Sequence, residues 1–124
     1  MATQDITAQQ FNEVITNNDI VIVDFWAEWC GPCKSFAPTY EKVSENHQDI
    51  VFAKVDTEQE QELAGHFQIR SIPTLMIFRE QVVLFAQPGM LAEEQLEEII
   101  SKVREVDMAK VHEEVAKQEQ QQES

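Results

Sequence analysis

The sequence predicts an α/β domain: a central mixed β-sheet flanked by helices on both faces. Three observations carry this expectation. Segments of helical and strand character follow the order α, β, α, β, α, β, β, α. Ile20-Val21-Ile22-Val23-Asp24-Phe25-Trp26 is nearly continuous in apolar character, the pattern of a strand covered on both sides. Two further strand segments, 74–78 and 82–86, are separated only by Arg79-Glu80-Gln81, which implies an antiparallel hairpin.

Each element has a local cause. Thr7 is placed to cap a first helix, with Gln10 three residues on as its capping-box partner. Phe11, Val14 and Ile15 then make one buried face, and Asn17-Asn18-Asp19 stops the helix. After the strand at 20–26, Pro32 suits the first turn of a second helix, where its missing N–H costs nothing. Phe36, Tyr40 and Val43 continue the helical period to about Glu45. Residues 46–49 read as a loop and 50–55 as a second buried strand carrying Lys54. Thr57-Glu58-Gln59-Glu60 predicts another helix start, followed by a short helix through Leu63, Ala64 and Phe67. Pro88-Gly89 ends the hairpin, and from Ala92 a long helix buries Leu96, Ile99, Ile100 and Val103. Glu93 and Glu94 sit favourably at its positive end.

A chain of 124 residues with 43% hydrophobic content is long enough for one real core. No apolar run approaches the length of a membrane span. The formal net charge of −14 disfavours nucleic acid and anionic membrane as partners, since both demand basic patches. The segment Met1-Ala2-Thr3-Gln4-Asp5 lacks the basic, then apolar, pattern of a secretory signal, so a cytoplasmic location is expected.

Both cysteines, Cys30 and Cys33, lie in Trp29-Cys30-Gly31-Pro32-Cys33, at a strand-to-helix junction. A C-x-x-C in that setting reads as a thiol–disulfide site. An inert staple is the alternative, although so short a loop restricts the unfolded chain little. Half of a zinc site is another, but there is no second C-x-x-C, and His47, His66 and His112 show no ligand pattern and read as surface residues. No metal is expected. Asp24 is an acid inside an apolar strand, where burial would raise its pKa and make it a proton acceptor and donor near neutrality. Trp29 is expected to be exposed beside the thiols as a substrate contact, and Trp26 to pack in the core.

The segment from Phe25 to Lys34, preceded by Asp24 and followed by Lys54, by Ile69-Arg70-Ser71-Ile72-Pro73-Thr74 and by Gly89, resembles bacterial-type thioredoxin in both order and spacing. The resemblance covers roughly residues 5–104. It implies the thioredoxin fold, a cis Ile72–Pro73 bond, and catalysis by Cys30, Cys33, Asp24 and Lys54. Cys30 would be the nucleophile, activated at a helix N-terminus, and Cys33 would resolve the mixed disulfide. Asp24 would serve Cys33, with Lys54 tuning it. Gly31 and Pro32 would set the redox poise, in the direction of a reductant. Trp29, Ile72, Pro73 and Gly89 would form the substrate groove, with the Ile72 backbone pairing to an extended segment. Thioredoxins usually carry a glycine in the turn near Gln81, which this chain lacks, and the chain continues about twenty residues beyond the family's usual end.

The expected organisation is therefore a thioredoxin domain over 1–106 and an acidic, Gln-rich extension over 107–124, helical to about 116 and then disordered over its last seven residues. In the extension Met108, Val111 and Val115 form a stripe rotated away from that of Leu96 and Ile100. Either the helix bends near Asp107, or residues 108–115 meet a partner or a second copy. The function implied is a thioredoxin-type protein-disulfide reductase acting on disulfide-containing proteins in cell redox homeostasis and electron transport. It would need no bound cofactor, and a thioredoxin reductase, an NADPH-linked flavoenzyme, would regenerate it. The alternatives are a thioredoxin-fold binding or scaffold module whose tail recruits a partner, and an oxidase or isomerase of folding proteins.

Overall fold

A computed structural model describes residues 2–123. Its elements are β1 (Thr3–Asp5), α1 (Ala8–Asn17), β2 (Ile20–Trp26), α2 (Gly31–Glu45), β3 (Val51–Asp56), α3 (Gln61–His66), β4 (Thr74–Arg79), β5 (Val82–Pro88), α4 (Glu93–Glu105) and α5 (Met108–Glu123). The five strands form one sheet in the order β1-β3-β2-β4-β5. β1, β3 and β2 run parallel, whereas β4 pairs antiparallel with both β2 and β5. β1, which the expected order of elements lacks, forms because Thr3, Gln4 and Asp5 find edge partners in Phe52, Ala53 and Lys54.

Strand alternation divides the core between the two faces. Ile20, Ile22 and Phe52 pack with Phe36, Tyr40 and Val43 of α2 and with Leu96, Ile100 and Val103 of α4. Val21, Val23 and Phe25 pack with Phe11 and Ile15 of α1 on the other side. β2 is central and buried from Ile20 to Phe25, as its continuous apolar character predicts. At the head of α1 the Gln10 side chain accepts the Thr7 backbone N–H at 3.0 Å, one arm of the expected capping box.

Thr57 does not cap α3. Its N–H and its hydroxyl both donate to the Trp26 carbonyl, at 2.8 and 3.1 Å, so it ties the ends of β3 and β2 together. The helix starts only at Gln61. His47 is half-buried rather than a free surface residue: its Nε2 bonds Glu97 and its Nδ1 lies 3.0 Å from Arg104 Nη2, itself paired with Asp49.

The expected long last helix is broken at Val106 and Asp107, so the chain takes the bend. Arg79, at the end of β4, donates from Nη1 to the carbonyls of Val103, Arg104 and Val106 at 2.9, 3.2 and 3.0 Å. These are acceptors left over at a helix C-terminus. Asp107 then caps a new helix, its Oδ1 accepting from Ala109 and Lys110. α5 is helical to Glu123, past the expected stop near 116 and through most of the stretch expected to be disordered; Ser124 lies outside the described residues. Met108 is buried, Val111 and Val115 are half-buried, and His112 Nε2 bonds Glu80 at 2.8 Å.

The turn between β4 and β5 places two non-glycine residues in the left-handed region, Glu80 at φ 50° and Gln81 at φ 70°. Two-residue hairpin turns favour this geometry because it matches strand twist, but an L side chain is strained there by about 1–2 kcal/mol. A Gln81→Gly variant should therefore gain about 0.5–1 kcal/mol net, after the entropy that glycine loses on folding. A urea titration checks this: the midpoint should rise with an unchanged m-value.

Candidate active site

The two cysteines sit where β2 ends and α2 begins, joined as a disulfide with their Cα atoms 5.2 Å apart. Cys30 occupies the N-cap position of α2 in extended backbone, and its sulfur accepts the Cys33 N–H at 3.2 Å. A sulfur thus stands where an oxygen usually satisfies the free N–H groups of a helix. In the dithiol form the same N–H and the positive end of the helix favour a thiolate at Cys30. Both cysteines are buried, while Gly31 and Pro32 between them are exposed.

The loop before β4 closes one side. Its Ile72–Pro73 bond is cis, and the Ile72 carbonyl oxygen lies 3.7 Å from Cys30 Sγ. The Pro73 carbonyl accepts the Gly89 N–H at 2.8 Å, which brings the end of β5 against the same loop. Gly89 has φ 101°, a conformation that favours glycine. Ile72 is half-buried and packs against the cysteine pair. Trp29 is 68% exposed, and its Nε1–H donates to Glu58. The structure therefore gathers Trp29, Ile72, Pro73 and Gly89 around Cys30. Met90, directly after Gly89, is 48% exposed, and Glu58 meets Trp29 without any signal in the sequence, because only the fold brings the two together.

The acid and the lysine meet across two strands. Asp24 of β2 is in register with Lys54 of β3. Asp24 is 1% exposed, and its Oδ1 has no hydrogen-bond partner among the described residues. It follows Ile22 by two positions, so it turns to the sheet face that α2 covers. Burial pushes its pKa up from 3.8 to about 7, opposed in part by the Lys54 charge. Lys54 is half-buried, with its ammonium 4.8 Å from the centroid of the Trp26 ring. Trp26 in turn is half-buried against Ala27 and the two cysteines, a less complete burial than expected of a core residue. No three His, Cys, Asp or Glu side chains converge as a metal-ligand set among the described residues.

The Asp24 shift has a stability consequence with a definite sign. Between pH 3.8 and about 7 the folded protein keeps a proton that the unfolded chain has lost, so stability falls as pH rises through that window. The full span corresponds to on the order of 4 kcal/mol. Asp24→Asn should accordingly be roughly 2–4 kcal/mol more stable than the wild type at pH 8 and no more stable at pH 4. Urea unfolding at the two pH values reads the difference directly.

Known proteins with this arrangement were found by sequence and by shape. Residues 2–103 match the sequence model of the Thioredoxin family. A thioredoxin 2 sequence of Streptomyces coelicolor is 53% identical over 120 residues, covering 97% of this chain and 90% of its own length. The Bacillus subtilis thioredoxin is 37% identical over 103 residues, covering 82% of this chain and 98% of its own. Among solved structures, a Plasmodium falciparum thioredoxin superposes with a TM-score of 0.74 at 36% identity, covering 80% of this chain and 97% of that one. A sequence match over most of the chain, a shared architecture and a bonded thiol pair at the helix start lead to one assignment: the chain belongs to the thioredoxin family and is a protein-disulfide oxidoreductase.

Proposed function

We propose that the protein works as a reductant of protein disulfides, with a defined role for each residue of the site. The Cys30 thiolate attacks one sulfur of a substrate disulfide. That S–S bond breaks, a mixed disulfide forms on Cys30, and the released substrate sulfur takes up a proton. Cys33 then loses its proton and attacks Cys30 Sγ, which expels the second substrate thiol and leaves the Cys30–Cys33 disulfide. Two electrons have passed to the substrate. The observation that carries this order of events is the Cys33 N–H directed at Cys30 Sγ, which supports Cys30 as the sulfur stabilised as an anion.

Asp24 receives the Cys33 proton in the second step and returns it when the disulfide is reduced again. A carboxyl with a pKa of about 7 suits that exchange. Lys54 limits how far burial raises it. Gly31 and Pro32 keep the turn open to solvent and tune the poise of the pair. Trp29, Ile72, Pro73 and Gly89 hold an extended segment of the substrate, the Ile72 backbone adding short β-type pairing. The oxidised protein is recharged by a thioredoxin reductase, a flavoenzyme drawing on NADPH, so no cofactor resides on this chain. Its place is the cytoplasm, as a step in electron transport between that flavoenzyme and its targets.

Residues 1–106 carry the reaction, and the extension is dispensable for it. α5 bonds the β4–β5 turn, where Arg79 lies opposite Ile20, the first residue of β2. The thiols follow the other end of that seven-residue strand, about 20 Å away. Two outcomes test the scheme. Cys33→Ser should accumulate a mixed disulfide with a protein substrate, visible by mass, whereas Cys30→Ser should form none; the reverse pattern would sink the assignment of the nucleophile. Removal of 107–124 should leave insulin-type disulfide reduction within about two-fold of the full chain, and a folded truncation that has lost reduction would contradict it.

A further inference from the structure

Tyr40 is the only tyrosine of the chain and is completely buried in the core beneath α2. Its packing does not require a hydroxyl, since phenylalanine would fill nearly the same space without a polar atom to satisfy. The hydroxyl nevertheless lies 3.0 Å from the carbonyl oxygen of Ile22 on β2 and 2.8 Å from that of Ala53 on β3. One proton is thus shared between carbonyls of two neighbouring strands.

The location of those carbonyls relates them to the redox centre. Ile22 is two residues before Asp24 and on the same face of β2. Ala53 immediately precedes Lys54, the register partner of Asp24. Cys33, Phe36 and Tyr40 fall at i, i+3 and i+7 of α2, all buried on one side of that helix. The helix face that carries the resolving thiol therefore carries, two turns on, a hydroxyl that clamps the strands just before the acid and the lysine. The titratable groups that interact with Asp24 are Lys54 from β3 and Tyr40 from α2; Cys33 is buried on the same side of α2 as Tyr40, and β4 opposes Asp24 with Leu75. Burial first, and then the Asp24 charge, push the Tyr40 phenol well above its ordinary range, so it stays a neutral donor.

We propose that Tyr40 is a positioning residue for the Asp24 proton exchange: its hydroxyl holds β2 to β3 next to the Asp24–Lys54 register pair and shares its proton between two carbonyl oxygens of those strands. Without that donor, the Ile22 and Ala53 carbonyl oxygens, two positions before Asp24 and one before its register partner Lys54, lose a proton that offsets their negative dipole ends, and a carboxyl whose Oδ1 already lacks a partner among the described residues holds its proton more tightly. This rests on the reading of Asp24 as the group that exchanges the Cys33 proton.

The experiment uses the full chain as wild type, Tyr40→Phe and Asp24→Asn. The Asp24 carboxyl is followed by carbon NMR against pH, and single-turnover reduction of a protein disulfide is measured over the same range. Tyr40→Phe should raise the Asp24 midpoint by about half a pH unit or more, a three-fold change in proton affinity, and move the rate profile with it. A midpoint unchanged or lowered in a folded Tyr40→Phe protein overturns the proposal. If Asp24→Asn leaves the rate profile unaltered, the proton-exchange reading of Asp24 fails, while the NMR midpoint still decides whether Tyr40 acts on that carboxyl. A measurement that keeps the Tyr40 hydroxyl covers a Tyr40→Phe protein that does not fold. Fluorotyrosine incorporation labels Tyr40 alone, and its fluorine signal should titrate with Asp24 in the wild type and cease to do so in Asp24→Asn. A fluorine signal flat through the Asp24 midpoint also overturns the proposal.

Discussion

A sulfur in place of an oxygen at the head of α2 is the interaction on which the site depends. Cys30 terminates the approach from β2 and caps the helix with the same side chain, so its Sγ is held by a backbone N–H that belongs to Cys33. The two thiols cannot be separated without undoing the first turn of α2. The strand end also sets where the surrounding groups come from. β4 runs antiparallel beside β2, so the loop that enters β4 must arrive next to the strand end, with Ile72 and Pro73 in it. The end of β5 follows, with Gly89 bonded to Pro73.

The second constraint is a carboxyl in dry surroundings. Asp24 occupies a place in β2 where Ile20 and Ile22, on the same face, show that an apolar side chain would be favoured. An ionised acid there is costly, and one half-buried lysine compensates only in part. In the proposed reaction, the stability forfeited near neutral pH is the counterpart of a proton acceptor tuned to that pH under the helix that carries Cys33. Function and stability therefore pull in opposite directions at a single residue, and the apolar clusters on the two faces of the sheet absorb the difference.

Much of this was legible in the sequence because it rests on local signals. The continuous run from Ile20 to Trp26 marks the central strand, and the one charge in it marks Asp24 as unusual. The cysteine spacing and the adjacent Pro32 mark the helix start. What escaped was decided by contacts distant in sequence. Thr57 has the spacing of a helix cap, but the Trp26 carbonyl competes for its hydroxyl and its N–H. Asp107 was legible as a possible cap only if Val106 ended a helix, and that depends on Arg79 reaching three carbonyls from β4. His47 lies near Glu97 and Arg104 only because α4 packs beside the loop after α2. The polar atoms of Tyr40 were hidden by its apolar periodicity.

Arg79 has one more consequence. A guanidinium that belongs to a strand supplies the donors that close a helix, so the end of α4 is anchored in the sheet rather than left to solvent. Fraying that starts at the C-terminus would meet this anchor at Val106 before it reached the turns of α4 that cover the core. The hairpin thus acts as a firebreak, a clamp at the end of α4 whose donors come from the sheet and not from α5.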